Sequence, residues 1–323
     1  MMKKSKVLMA GAAIGAVSLF AVTALASTPN TAGYDAFKAV LKANQQAEET
    51  FASATIDGRF AIAADGETIM TLDGTTKMQH AGDAPTASSE FDVTLLGVER
   101  AGSLYYNDEE TAYFVDRTHD LHYQVINLDH DHADEREWRR EGEFQDRPMT
   151  KAQEALLDYM IGDLKNEFGV THHADGTKTI TVDVSRDEIP VPLQLLMDVA
   201  AAEDRNERGN APAPTEEWEN MKQLPFFQGL EEGLRLQEHL PELTDDVALE
   251  RVQLQLTVDA NNKLQSVQGE LEVSGKDEAG DLHRVEIEGA GEISGVNATT
   301  PDGYDPSGKS VEIIDAESFG SRK

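Results

Sequence analysis

Cysteine is missing from all 323 residues. No disulfide can staple the fold and no lipid can be attached through an N-terminal thiol, so stability has to come from a packed core. Positive charge is also scarce, with 28 Lys and Arg against 60 Asp and Glu and a formal charge of −32. Such a field repels nucleic acid and anionic lipid headgroups and attracts cations and basic partners, which argues against nucleic-acid binding. Its plainer use is to keep a secreted protein soluble at high ionic strength or alkaline pH. Catalytic signatures are absent as well. There is no Gly-x-Ser-x-Gly elbow, no His-Glu-x-x-His, no EF-hand loop with its glycine and terminal Glu, no phosphate-cradling glycine loop and no repeat of fixed period.

What is present begins with a leader. Lys3, Lys4 and Lys6 precede an uncharged apolar run over 7–26 that closes on Ala24, Leu25 and Ala26 before Ser27. A basic end, an apolar centre and small residues at the exit predict a secretory signal over 1–26. The run is about 20 residues, long enough to span a bilayer as an uncleaved anchor. In either case the remainder lies outside the cytoplasm. The leader holds three lysines and no acid, so the charge of −32 becomes −35 without it. A large exported chain free of cysteine fits a bacterial product.

Periodicity then divides the remainder. Phe37, Val40, Leu41, Ala47 and Phe51 recur at helical spacing and predict an amphipathic helix over 35–51. Short β-type runs follow over 56–63, 68–80, 89–99, 104–106, 112–115 and 122–126. They are separated by Ala64-Asp65-Gly66, the 82–87 loop, Ala101-Gly102 and 107–110, which predicts an antiparallel meander. Thr150 and Gln153 form a capping box for a helix over 150–168. A hairpin is expected from 170–173 and 179–184 across Ala174, Asp175 and Gly176, with further helices over 193–204, a short one carrying Thr215, Trp218 and Met221 and a longer one over 226–240, and a mobile loop at 205–214. The clearest β pattern is the last. Val252, Leu254, Leu256 and Val258, then Val267, Gly269, Leu271 and Val273, then Val285, Ile287, Gly289, Gly291 and Ile293 alternate with polar partners. Each strand therefore has one apolar and one wet face.

The helix feeding a strand at Ile56, the segment 152–168 and the closing meander 249–293 together resemble the layout of the LolA/LppX-like superfamily of bacterial envelope proteins. Exported Gram-positive proteins of this kind are also similar around 161–165 and 187–190. The resemblance implies an α+β fold in which a large curved antiparallel β-sheet, a half-barrel, is covered on one face by amphipathic helices, often around a cavity for an acyl chain. The expected organisation is a leader at 1–26, one domain at 27–296 and a flexible tail at 297–323, within which 311–314 can add an edge strand.

The densest chemical cluster is His119, Asp120 and His122 followed by Asp129, His130, Asp131, His132 and Asp134. Imidazole with carboxylate suits Zn²⁺ or Ni²⁺, which makes His130, His132, Asp129 and Asp131 the candidate metal ligands. Alternation places the two histidines opposite the two aspartates, and a solvated loop is the competing reading. Asp57, Asp73 and Asp92 fall in strand-type runs where paired carboxylates can arise. Tyr105, Tyr106, Tyr113, Phe114 and Tyr123 form the densest aromatic group and read as core or cross-strand pairs. No residue stands out as catalytic and no cofactor is implied. Three functions follow: a non-catalytic envelope protein binding an apolar ligand or a protein partner in the concave face of its sheet; an extracytoplasmic sensor of cations or envelope stress; or a hydrolase. The first is the expectation.

Overall fold

The computed structural model describes residues 32–44, 51–81, 84–106, 111–126, 162–191, 194, 224–230 and 239–315. Alternating sequence becomes strand nearly throughout. The strands are β1 (Ser53–Ala64), β2 (Glu67–Ala81), β3 (Ala84–Leu95), β4 (Val98–Tyr106), β5 (Thr111–Asp116) and β6 (Leu121–Ile126), then β7 (Gly169–His172), β8 (Lys178–Ser185), β9 (Asp245–Val258), β10 (Leu264–Lys276), β11 (Leu282–Ser294) and β12 (Val311–Asp315). All twelve lie in one sheet in the order β12-β6-β5-β4-β3-β2-β1-β11-β10-β9-β8-β7. Two meanders, β1 to β6 and β7 to β11, thus join along an antiparallel seam that sets Ile56 opposite Ile293 and Ile62 opposite Ile287. Strand β12 runs parallel to β6 at the far edge, Val311 facing His122 and Asp315 facing Ile126.

The half-barrel is not what forms. Closure requires the edge strands to find each other, yet among the described residues β7 pairs only with β8 and β12 only with β6, so the sheet is open and mixed. The expected layer of helices is also corrected. Among the described residues one α-helix has both bounds given, α1 (Ala32–Asn44), which begins before the 35 read from periodicity, while 45–50 lie outside the described residues. Asn44 anchors the described end of α1. Its side chain donates to Val40 O at 2.7 Å and Asn262 O at 2.9 Å and accepts from Leu264 N–H at 3.2 Å, tying the helix end to the β9–β10 turn. Of the helix expected over 150–168 the described part is a 3-10 helix, Gly162–Glu167, and where a helix is expected over 226–240 the chain begins with the 3-10 turn Pro225–Phe227; residues 150–161, 192–193, 195–223 with the loop at 205–214, and 231–238 lie outside the described residues.

Apolar burial is concentrated at two places on one face. At one end Tyr34, Phe37 and Val40 of α1 pack on Ile180, Val182 and Val184 of β8 and on Leu254, Leu256 and Val258 of β9. Phe168 closes this cluster, its ring 5.2 Å from those of Tyr34 and Phe37. At the other, Phe226 and Phe227 from the 3-10 turn Pro225–Phe227 sit on Leu95, Phe91, Val93 and Phe114. Phe226 meets Phe91 and Phe114 edge-on at 6.0 and 5.1 Å. Between the two lies a glycine patch. Gly58 stands opposite Gly74 on one side and Gly291 on the other, with Gly269 opposite Gly289 beside them.

The other face is polar and is crossed by the chain after β11. Asn297 N–H donates to Ser53 O at 2.7 Å, Thr299 N–H to Ser53 Oγ at 3.1 Å, and Lys77 Nζ contacts Asp302 at 2.8 Å. Tyr304 then stacks on Tyr113 at 4.7 Å and lies 5.5 Å from the Tyr105 ring and 5.8 Å from that of His122. This arm ends in β12.

Candidate functional site

The polar face holds a hollow of about 840 Å³ centred on the seam between the meanders. Register builds it. Odd-numbered residues of β1 point away from the apolar face, and pairing carries that choice across neighbouring strands. One row sets Glu292, Asp57, Thr75 and Glu90 side by side; the next sets Arg59 beside Asp73 and Asp73 beside Asp92. The floor continues through Gln268 and Ser266 of β10, and Arg117 reaches in from the β5–β6 turn.

Charge in this basin is unbalanced: among the residues that line it, Asp57, Asp73, Glu90, Asp92 and Glu292 stand against Arg59 and Arg117. Like charges directly opposite each other in a sheet are unfavourable, which singles out Asp73 with Asp92 and Asp57 with Glu292. The first pair is relieved by Arg117, 2.9 Å from Asp92, and by Arg59, 3.7 Å from Asp73. Arg117 is itself held by donating to Phe91 O at 3.0 Å and Gly102 O at 3.3 Å. Asp57 accepts from Thr75 Oγ1 at 2.5 Å. These side chains stand partly in water, so they attract an opposite charge without any large desolvation cost.

The candidates from sequence fare differently. Asp57, Asp73 and Asp92 are brought together on this one face; Arg117 and Glu292, which complete it, come from distant segments. Of the metal candidates, His130, His132, Asp129 and Asp131 lie outside the described residues. Their described neighbours turn to local work. His119 Nδ1 sits 2.7 Å from Asp116 Oδ2, and His122 Nε2 is 3.6 Å from Asp120. Among the described residues no group of three or more acidic or imidazole side chains is arranged to hold a metal ion. Phe114 and Tyr123 are stacked cross-strand neighbours at 5.9 Å, as the aromatic pattern implies. His172 and His173 end a hairpin, where His173 Nε2 lies 2.7 Å from Thr179 Oγ1.

One histidine that sequence reasoning passed over bridges two turns. His283 places Nδ1 2.8 Å from Asp65 in the β1–β2 turn and Nε2 3.5 Å from Asp277 in the β10–β11 turn. The hydrogen bond to Asp65 chiefly raises the imidazole pKa, and the same bond lowers that of Asp65. Asp277 is lowered first by the Asp281 backbone N–H and then by His283. No signal in the local sequence marks this contact, since Asp65 and His283 are 218 residues apart.

No family model matches the chain, and no curated protein matches it. One similar solved structure is a DUF1329 family protein from Desulfovibrio piger, 10% identical, with a TM-score of 0.22 over 87% of this chain and 97% of that one. Among the described residues no helix is long and apolar enough to cross a membrane.

Proposed function

We propose that the chain is an exported, non-catalytic protein of the cell envelope that acts by binding, and that the polar basin receives a basic segment of a partner protein. The observation that supports this is the basin itself: a hollow of about 840 Å³ in which five carboxylates outnumber two guanidinium groups. Backbone pairing on both sides of β1 fixes the spacing of those carboxylates, so little ordering is required when a cationic chain settles on them. Export is supported by the leader pattern of Lys3, Lys4, Lys6 and the exit at Ala24 to Ser27. Titration calorimetry with a lysine-rich peptide tests the site. Binding is expected at low salt, weakening as salt rises, and roughly tenfold weaker for the Asp73→Asn/Asp92→Asn variant. Equal affinity in that variant removes the basin from consideration.

A second reading, an apolar ligand on the opposite face, is favoured by the glycine patch of Gly58, Gly74, Gly269, Gly289 and Gly291. Strand glycines allow close approach of another group to the backbone. Half-buried Ile56, Phe60, Leu72 and Ile287 surround the patch. Native mass spectrometry of protein from its own host tests it: a co-purifying lipid supports this reading and a bare mass counts against it.

A further inference from the structure

We infer that the arm over 295–315 is exchangeable, and that a second copy of this chain can place its own arm across the polar face and add its own β12 to β6. The arm leaves β11 through one tight turn. Gly295 and Asn297 both take left-handed backbone, φ 58° and 59°, and the turn is closed by Ala298 N–H and Thr299 Oγ1 donating to Gly295 O at 2.8 and 2.9 Å. Opening that turn lets β11 run straight on and sends the arm outward without disturbing the eleven other strands.

What the arm touches forms a single cradle. In order it meets Ser53, Lys77, Ser88, the rings of Tyr105, Tyr113 and His122, and the edge of β6. Most of the arm before β12 is exposed, Thr299 being its buried residue, so few apolar contacts oppose release. The seating is also incomplete. His122 Nδ1 and Tyr304 OH, on rings 5.8 Å apart, are buried without a hydrogen-bond partner. Water restores those bonds when the arm lifts, which lowers the cost of opening. The vacated cradle then needs an extended segment with a ring and a strand at this spacing, and an identical chain carries one.

The absence of native cysteine supplies the test. Asp302 N–H donates to Ser88 Oγ at 2.9 Å, so cysteines at these two positions report arm on cradle. One full chain carrying Ser88→Cys is mixed with another carrying Asp302→Cys and oxidised, while a single chain with both changes serves as reference. A disulfide-linked heterodimer is expected. Gly295→Ala should enrich it roughly tenfold, because an L side chain disfavours the left-handed turn and its Cβ would collide with Thr299 Oγ1. Internal closure of the double variant with no heterodimer from the mixture, in either background, overturns the inference. Unsubstituted heavy- and light-isotope chains give an independent reading by native mass spectrometry: mixed dimers after co-incubation support exchange, and their absence refutes it.

Discussion

Replacing Asp116 with alanine asks how far the outer strands depend on one buried carboxylate. Asp116 is fully buried at the end of β5, opposite Gly102 in β4 and Leu121 in β6. It accepts from Thr118 N–H at 3.0 Å, His119 N–H at 3.1 Å and the His119 ring at 2.7 Å, so a single side chain organises the β5–β6 turn. A hydrogen bond of this kind contributes about 1 kcal/mol net, and losing its acceptor strands the donors at greater cost. His119 is 38% exposed and can turn to water. Two backbone donors at full weight and one ring donor at reduced weight give about 3 kcal/mol for Asp116→Ala. Asparagine keeps one acceptor oxygen and should cost about 1–2 kcal/mol. For a chain of this size the alanine change corresponds to a fall in Tm of about 4–5 °C. Urea unfolding followed by circular dichroism measures both variants, with His119→Ala as a control expected to cost under about 1 kcal/mol. An alanine variant within about 0.5 kcal/mol of the parent, or an asparagine variant as unstable as alanine, refutes the reasoning.

Three further outcomes are expected. Phe226→Ala removes a side chain that is 3% exposed and touches Phe91, Phe114 and Phe227, and calorimetry should show a loss of roughly 3–5 kcal/mol. Leu96 holds φ 50° in the β3–β4 turn, so Leu96→Asn, which tolerates that conformation, should raise stability by about 0.5–1 kcal/mol in chemical denaturation. The His283 bridge makes stability depend on pH. The raised imidazole contributes fully below its ordinary value of 6.5 and is lost as pH climbs through the folded value; the lowered Asp65 contributes above its ordinary 3.8 and is lost on acidification. The bridge is therefore strongest between those two values, and His283→Gln should shrink the difference in Tm between about pH 5 and about pH 8.

Local signals carried much of the fold. The closing meander was legible because Val252 to Ile293 alternate without interruption and the turns at 259–263 and 276–280 are rich in Asp, Asn and Gly. The β3–β4 turn was not. Leu96-Gly97 lacks the Asn or Asp that usually marks left-handed backbone, so 89–99 read as one strand where the chain reverses. Gly102 misled in the opposite sense. It reads as a break but sits inside β4, where a Cβ would come 2.6 Å from Phe91 Cζ, so glycine there serves packing. The half-barrel came from likeness of layout and the helical cover from the amphipathic runs, and neither closure nor strand direction at the β12 edge is written in local periodicity. For the site, Asp57, Asp73 and Asp92 were visible as strand acids. Their gathering with Glu292 depends on the β1–β11 register, a pairing between segments more than 200 residues apart.

That seam also sets a timetable for synthesis. Strand β1 is finished at Ala64, whereas its second neighbour does not begin until Leu282. At about 5–20 residues per second the ribosome needs roughly 10–40 s to deliver it. Throughout that interval the nascent first half carries a raw hydrogen-bonding edge along Ile56, Phe60 and Ile62. Any holding factor that meets this protein before completion has a defined ribbon to shield, and the final zippering of residues 285–294 against it is the step that retires the hazard.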